Sequence, residues 1–107
     1  HRYADAERLL KRSMVVAEKA FGPDHPDIAQ ALNNLGALYA RQGRNAAAER
    51  LFRRSVATFE KTFGPNHPDL AGVLDNLAGI YKNQGRYADA EQVLKRSMAI
   101  RGKTRPI

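Results

Sequence analysis

At 107 residues the chain has room for one domain of ordinary size and none for a second core. Its apolar and charged contents, 43% and 27%, are those of a globular protein, and no stretch nears the roughly 20 continuous apolar residues of a membrane helix. Cysteine is absent, which excludes disulfides and thiolate metal sites and leaves the redox compartment open; the net charge of +7 points to an acidic partner or to solubility, depending on where it sits.

The chain opens at His1 already inside a helical pattern, so a piece of a longer protein is expected. A first helix is predicted from Arg2 to Phe21, with Leu9, Leu10, Met14 and Ala17 as its apolar surface. Gly22-Pro23 ends it. The second helix runs from Pro26 to Gln42 and carries Ile28, Leu32, Leu35 and Tyr39 at helical spacing, with Gly36 beside the stripe. Pro26 suits the first turn, where its missing N–H would have been unpaired anyway, and Gly43 permits the backbone that ends a helix. A third helix, Asn45 to Thr62, presents Ala48, Leu51, Phe52, Ser55, Val56 and Phe59 on one face and stops at Gly64-Pro65. Then the scheme returns: Leu70, Leu74, Leu77 and Tyr81 on a fourth helix, Gly85, and Ala90, Val93, Leu94, Ser97 and Met98 on a fifth. No run alternates with period two, so strands are not expected.

The return is periodic. Arg2-Tyr3-Ala4-Asp5-Ala6-Glu7 recurs unchanged at 86–91 and in altered form at 44–49, and Phe21-Gly22-Pro23-Asp24-His25-Pro26-Asp27 recurs as Phe63-Gly64-Pro65-Asn66-His67-Pro68-Asp69, always 42 residues on. About half of positions 1–42 are identical in 43–84, the signature of units that stack because none buries its apolar face alone. The divisions are 1–21, the second helix of an incomplete repeat; 22–63, a full repeat; and 64–105, a full repeat with a short C-terminal tail that begins after Arg101.

Leu32-Asn33-Asn34-Leu35-Gly36-Ala37-Leu38-Tyr39, followed by Gln42-Gly43-Arg44 and Ala48-Glu49, resembles the tetratricopeptide (TPR) repeat signature, and Leu74 to Tyr81 with Gln84-Gly85-Arg86 is its second copy. The 42-residue period and the Gly-Pro-Asp-His-Pro-Asp connector are similar to the kinesin light chain subgroup. The resemblance implies an all-α solenoid of helical hairpins: five antiparallel helices in a right-handed superhelix, with the first helices of the units lining a concave face and the second helices forming a convex one. Armadillo and HEAT arrays have similar periods but need a kinked or third helix per unit, which nothing here supplies.

No catalytic constellation is expected. His25 and His67 fall at equivalent connector positions and read as residues that cap or pack at the start of a helix, one per unit and therefore too few for a metal. Ser13, Ser55 and Ser97 lack a nearby base and read as small residues at a helix contact, each hydroxyl bonded back to its own helix. The glycines form no phosphate-cradling loop. No catalytic residue, metal or cofactor is therefore expected.

Charge is unevenly placed. Residues 2–21 hold five cations against three carboxylates, residues 44–62 five against two, and residues 86–101 four against two, whereas 26–42 balance and 68–84 carry one excess carboxylate. The convex face is thus basic. Arg8, Arg12, Arg50, Arg53, Arg54, Lys95 and Arg96 lie there without interleaved exposed aromatics, and partners such as Glu49 for Arg53 and Glu91 for Lys95 predict a solvated, ion-paired face. Nucleic-acid or acidic-surface binding by that face is the alternative to be tested, as is a purely structural repeat segment of a larger signalling protein.

Function is expected on the first helices. Gln30, Asn33, Ala37 and Arg41 form a polar stripe beside the apolar one, and Asp75, Gly79, Lys82 and Asn83 belong to its second copy, with Gly72 in place of Gln30. The resemblance places these positions in the groove. Asn both donates and accepts, which suits an extended peptide backbone; Ala37 and Gly79 allow that backbone to approach; Arg41 and Lys82 suit a carboxylate. Asp75 replaces the Asn of the first copy and disfavours an acidic ligand locally. The reading is a cytoplasmic scaffold, not an enzyme, that binds a peptide or protein partner through this groove, with self-association through the uncovered terminal helices and no membrane partner.

Overall fold

The computed structural model describes residues 2–104. Its helices are α1 (Arg2–Phe21), α2 (Pro26–Arg41), α3 (Asn45–Phe63), α4 (Pro68–Asn83) and α5 (Tyr87–Thr104), with no strand among the described residues. Their order matches the sequence reading. Three ends differ: α2 stops at Arg41, one residue before Gln42, α3 continues one residue past Thr62 to Phe63, and α5 continues to Thr104, into the tail expected after Arg101. The rest of that tail, 105–107, and His1 lie outside the described residues.

The helix ends follow from local chemistry. His25 and His67 are N-caps in extended backbone, and each Nδ1 accepts the N–H two residues on, Asp27 and Asp69, at 3.1 Å. That satisfies one of the donors every helix start leaves unpaired. Each imidazole also stacks on the phenylalanine that closes the preceding helix, Phe21 at 4.3 Å and Phe63 at 4.2 Å. Capping and packing are thus both performed. At the other end of α2, Gly43 takes φ 77° while its N–H bonds to Ala40 O and that of Arg44 to Tyr39 O. Gly85 and Arg86 repeat this closure on Lys82 and Tyr81. It is the double-bonded glycine stop that a left-handed residue permits.

The helices pack as antiparallel neighbours in chain order, α2 against α3 and α4 against α5 within units, α1 against α2 and α3 against α4 between them. Phe52, Phe59, Ile28, Leu32, Leu35, Leu70, Ile80 and Ile100 are fully enclosed, each removing apolar surface from water for about 1.5–3 kcal/mol. Contact within a unit is close at Gly36, where an added Cβ would meet the Phe52 ring at 2.7 Å.

Two serines correct an expectation. Ser55 and Ser97 are fully buried, and their hydroxyls turn across the helix pair, Ser55 donating to Ala29 O at 2.7 Å and Ser97 facing Ala71 O at 3.2 Å and the Asp75 carboxylate at 2.7 Å, not toward their own helices. A carbonyl of the partner helix lies within reach because the two backbones approach so closely there. The bond back along the helix is made instead by Thr58, to Arg54 O. Ser13, the third copy, is exposed.

Between units a second device recurs. Tyr39 Oη donates to Glu7 Oε1, and the Arg44 guanidinium covers the Tyr39 ring at 4.1 Å. Forty-two residues on, Arg86 covers Tyr81 at 4.4 Å and pairs with Glu49 at 2.9 Å.

Candidate functional site

The site grows from the faces of α2 and α4 that are turned away from the core. Ala37, Arg41, Asp75, Gly79 and Asn83 come together there around a hollow of about 320 Å3. Gln30, Asn33 and Lys82 do not line it. Gln30 is held along its own helix, its Nε2 donating to Asn34 Oδ1 at 3.1 Å. Asn33 stands beside the hollow and accepts from Asn76 Nδ2 at 3.0 Å, which ties α2 to α4 across the unit boundary. Lys82 is exposed on the adjacent surface.

The hollow also has walls that the sequence reading missed: Ala40, Phe52, Asn76 and Ile80. Asn76 carried a signal, as the second-copy counterpart of Asn34 in the Asn33-Asn34 pair. Gly79 leaves open space, for nothing lies within 4 Å of a Cβ built there.

Asp75 is more constrained than its sequence position suggested. Its Oδ2 pairs with Arg101 at 2.5 Å and its Oδ1 accepts from Ser97 Oγ at 2.7 Å, while Ser97 Oγ accepts from Arg101 Nη1 at 2.9 Å. The single Ser97 proton is therefore directed mainly to the carboxylate, the nearer of its two acceptors. Partial burial pushes the Asp75 carboxyl up, but the hydrogen bonds from Arg101 and Ser97 and the Arg101 charge outweigh it, holding the group below its ordinary value. The expected local penalty against an acidic ligand is corrected: Arg101 already neutralises Asp75. Arg41 and Lys82 have no carboxylate partner among the described residues.

On the opposite side the basic side chains are largely engaged. Arg53 pairs with Glu49, Arg54 with Glu18, Lys95 with Glu91, Arg96 with Glu60 and Arg8 with Asp5. Tyr3, Phe21, Phe63 and Tyr87 are exposed at the ends of these helices and do not interleave with these basic residues. Two of the four are occupied in stacking on histidine. No group of three or more potential metal ligands occurs among the described residues, and none of the described helices is long and apolar enough to cross a membrane.

The family model for the tetratricopeptide repeat matches residues 1–61 and, in a second overlapping register, 27–103. The chain belongs to the tetratricopeptide repeat family. This TPR chain superposes with a TM-score of 0.84 and 26% identity on the nearly identical TPR-like repeats of a kinesin light chain-type protein from Podosopora anserina, over 97% of its own length and 49% of the other. A single-substitution variant of that protein gives 0.83 at the same identity and coverage. BtubC (BKLC) from P. vanneervenii shares the fold at a TM-score of 0.56 and 16% identity, over 99% of this chain and 60% of that one. The TPR chain thus spans about half the length of the first two solved structures. Among curated proteins, none matches it. TPR repeats generally mediate protein–protein interaction, and the family is one of non-catalytic scaffolds.

Proposed function

We propose that this chain is a non-enzymatic binding segment that takes an extended peptide or partner-protein segment along the exposed face of α2 and α4. One observation carries the reading. The hollow between these helices combines small residues, Ala37 and Gly79, with hydrogen-bonding groups at Asn76 and Asn83 and an uncommitted cation at Arg41. Small residues let a backbone approach, amide side chains bond it in either direction, and Arg41 with Lys82 nearby favours a carboxylate on the ligand. Arg101 supports this by cancelling the Asp75 charge. In the same reading 22–63 and 64–105 are full repeats and 1–21 contributes only a second helix.

The test is affinity capture of cellular proteins by the chain and by its Arg41→Ala/Asn83→Ala variant, read by quantitative mass spectrometry. Both residues are exposed, so the variant keeps its fold. Partners captured by the parent chain are expected to be lost from the variant. Equal recovery would remove the hollow from the binding surface.

A further inference from the structure

The repeat allows each surface feature to be compared with its own copy 42 residues on, and two furrows between successive second helices differ where packing does not require it. The first lies between α1 and α3 over the buried Leu35 and Tyr39 of α2 and encloses about 570 Å3. The second lies between α3 and α5 and encloses about 340 Å3. In the second furrow Arg53 crosses to Tyr81 Oη, with Nη2 at 2.8 Å and Nε at 3.2 Å, and so fills the space that it borders. Arg96 is held by Glu60 at 3.1 Å, and Gln92 occupies the remaining rim position.

The first furrow keeps its room and its charge. Lys11 replaces Arg53 and pairs with Glu7 at 3.2 Å on its own helix, as Arg53 does with Glu49, but brings a single nitrogen toward the Tyr39 hydroxyl where Arg53 brings two toward that of Tyr81. Arg50 stands where the second copy has Gln92 and has no ion pair among the described residues. Arg54 reaches Glu18 only at 3.4 Å, with both side chains partly exposed. Apolar surface lies between these cations: Val15 is 51% exposed, and Met14 and Leu51 are partly so.

We infer that the furrow between α1 and α3 is a docking site for an acidic amphipathic helix of a partner protein. The lining runs from Lys11 to Val15 on α1 and from Ala47 to Arg54 on α3, about 12 Å of the longer wall at 1.5 Å per residue, which receives some two turns of a partner helix. An apolar stripe at i, i+3 or i+4 and i+7 fits the Met14–Val15–Leu51 strip. Carboxylates flanking that stripe meet Lys11 on one wall and Arg50 and Arg54 on the other, so charge complementarity fixes the sign of the ligand. Cations on both walls with an exposed apolar strip between them distinguish this occupant from a nucleic acid, which would take the cations and leave the strip bare. The site is separate from the α2–α4 hollow and does not rest on it.

The probe is a fluorescent synthetic peptide of about five helical turns with a leucine stripe flanked by glutamates, titrated into the 107-residue chain by anisotropy, beside a peptide with lysine for each glutamate. The glutamate peptide is expected to bind and the lysine peptide not to. Arg50→Glu and Val15→Asp, both at exposed positions, should each weaken binding by about ten-fold or more, a loss near 1.4 kcal/mol, with unchanged far-ultraviolet circular dichroism. Arg41→Ala and Val16→Asp should leave it unchanged. Equal binding of the two peptides overturns the inference, as does indifference to Arg50→Glu and Val15→Asp. Loss on Arg41→Ala would move the peptide to the α2–α4 hollow, and loss on Val16→Asp to the far side of α1. Either result also overturns it.

Discussion

Consider the substitution of alanine at Gly36, Gly72 and Gly79, three glycines inside helices of the same type. In an unconstrained helix interior the change stabilises by about 1 kcal/mol, because glycine loses more backbone freedom on folding. Gly72 and Gly79 have nothing within 4 Å of an added Cβ, so each should show that full gain. At Gly36 the new Cβ would stand 2.7, 2.9 and 3.1 Å from three ring carbons of Phe52, where carbons prefer about 3.5–4.0 Å. Phe52 is 1% exposed and cannot swing into solvent. Overpacking of this kind costs about 1–3 kcal/mol, which cancels or exceeds the propensity gain. Gly36→Ala should therefore be neutral to about 2 kcal/mol destabilising, whereas Gly79→Ala raises the melting temperature by about 4 °C or more for a domain of this size. Thermal melts and urea titrations with a common slope give both values. Placing Gly36→Ala in a Phe52→Leu background should shrink its penalty, since the two sites share one contact. A Gly36→Ala protein as stable as the Gly79→Ala protein would refute the claim that ring-to-backbone contact requires this glycine.

The Asp75 carboxyl, lowered in the folded chain, contributes stability fully above its ordinary value of 3.8 and loses it as pH falls through the lowered folded value. Asp75→Asn should flatten that acid limb in pH-dependent denaturation, and an unchanged limb would contradict the Arg101 pairing. His67→Ala removes an N-cap acceptor and a ring stacked on Phe63; a loss of about 0.5–2 kcal/mol is expected, and His67→Asn should recover part of it. On α1, Leu9 and Val16 are 66% and 61% exposed, whereas Thr58 and Ile100, the copies of Val16, are 5% and 1% exposed. Leu10 packs on the core and Met14 and Ala17 are partly buried, so the bare apolar face lies farther round the helix than its sequence stripe suggested. We expect concentration-dependent self-association through this face; sedimentation should show it weakened by Val16→Asp, and a monomer at high micromolar concentration would exclude it.

What the sequence determined by itself was everything written in local spacing. The 42-residue return is read by comparing the chain with itself, and the five helices, the capping histidines and the glycine stops depend on residues within one or two helical turns of each other, where chain geometry dictates which groups can meet. Ala37, Arg41, Gly79 and Asn83 could be assigned to one hollow because helical phase and the repeat together fix a face. The tertiary structure decided which polar groups pair once two helices face one another. Nothing local distinguishes a serine bonded to its own helix from one bonded to Ala29 of the preceding helix, since both leave the hydroxyl satisfied. Asp75 and Arg101 stand 26 residues apart, and the arginine occupies the position of Phe59 in the preceding unit. Their pairing therefore departs from the repeat and could not be copied from another unit. Lys11 and Arg53, equivalent in sequence and alike in charge, border furrows of different size, and the Arg53 guanidinium places two nitrogens on the Tyr81 hydroxyl of the neighbouring helix.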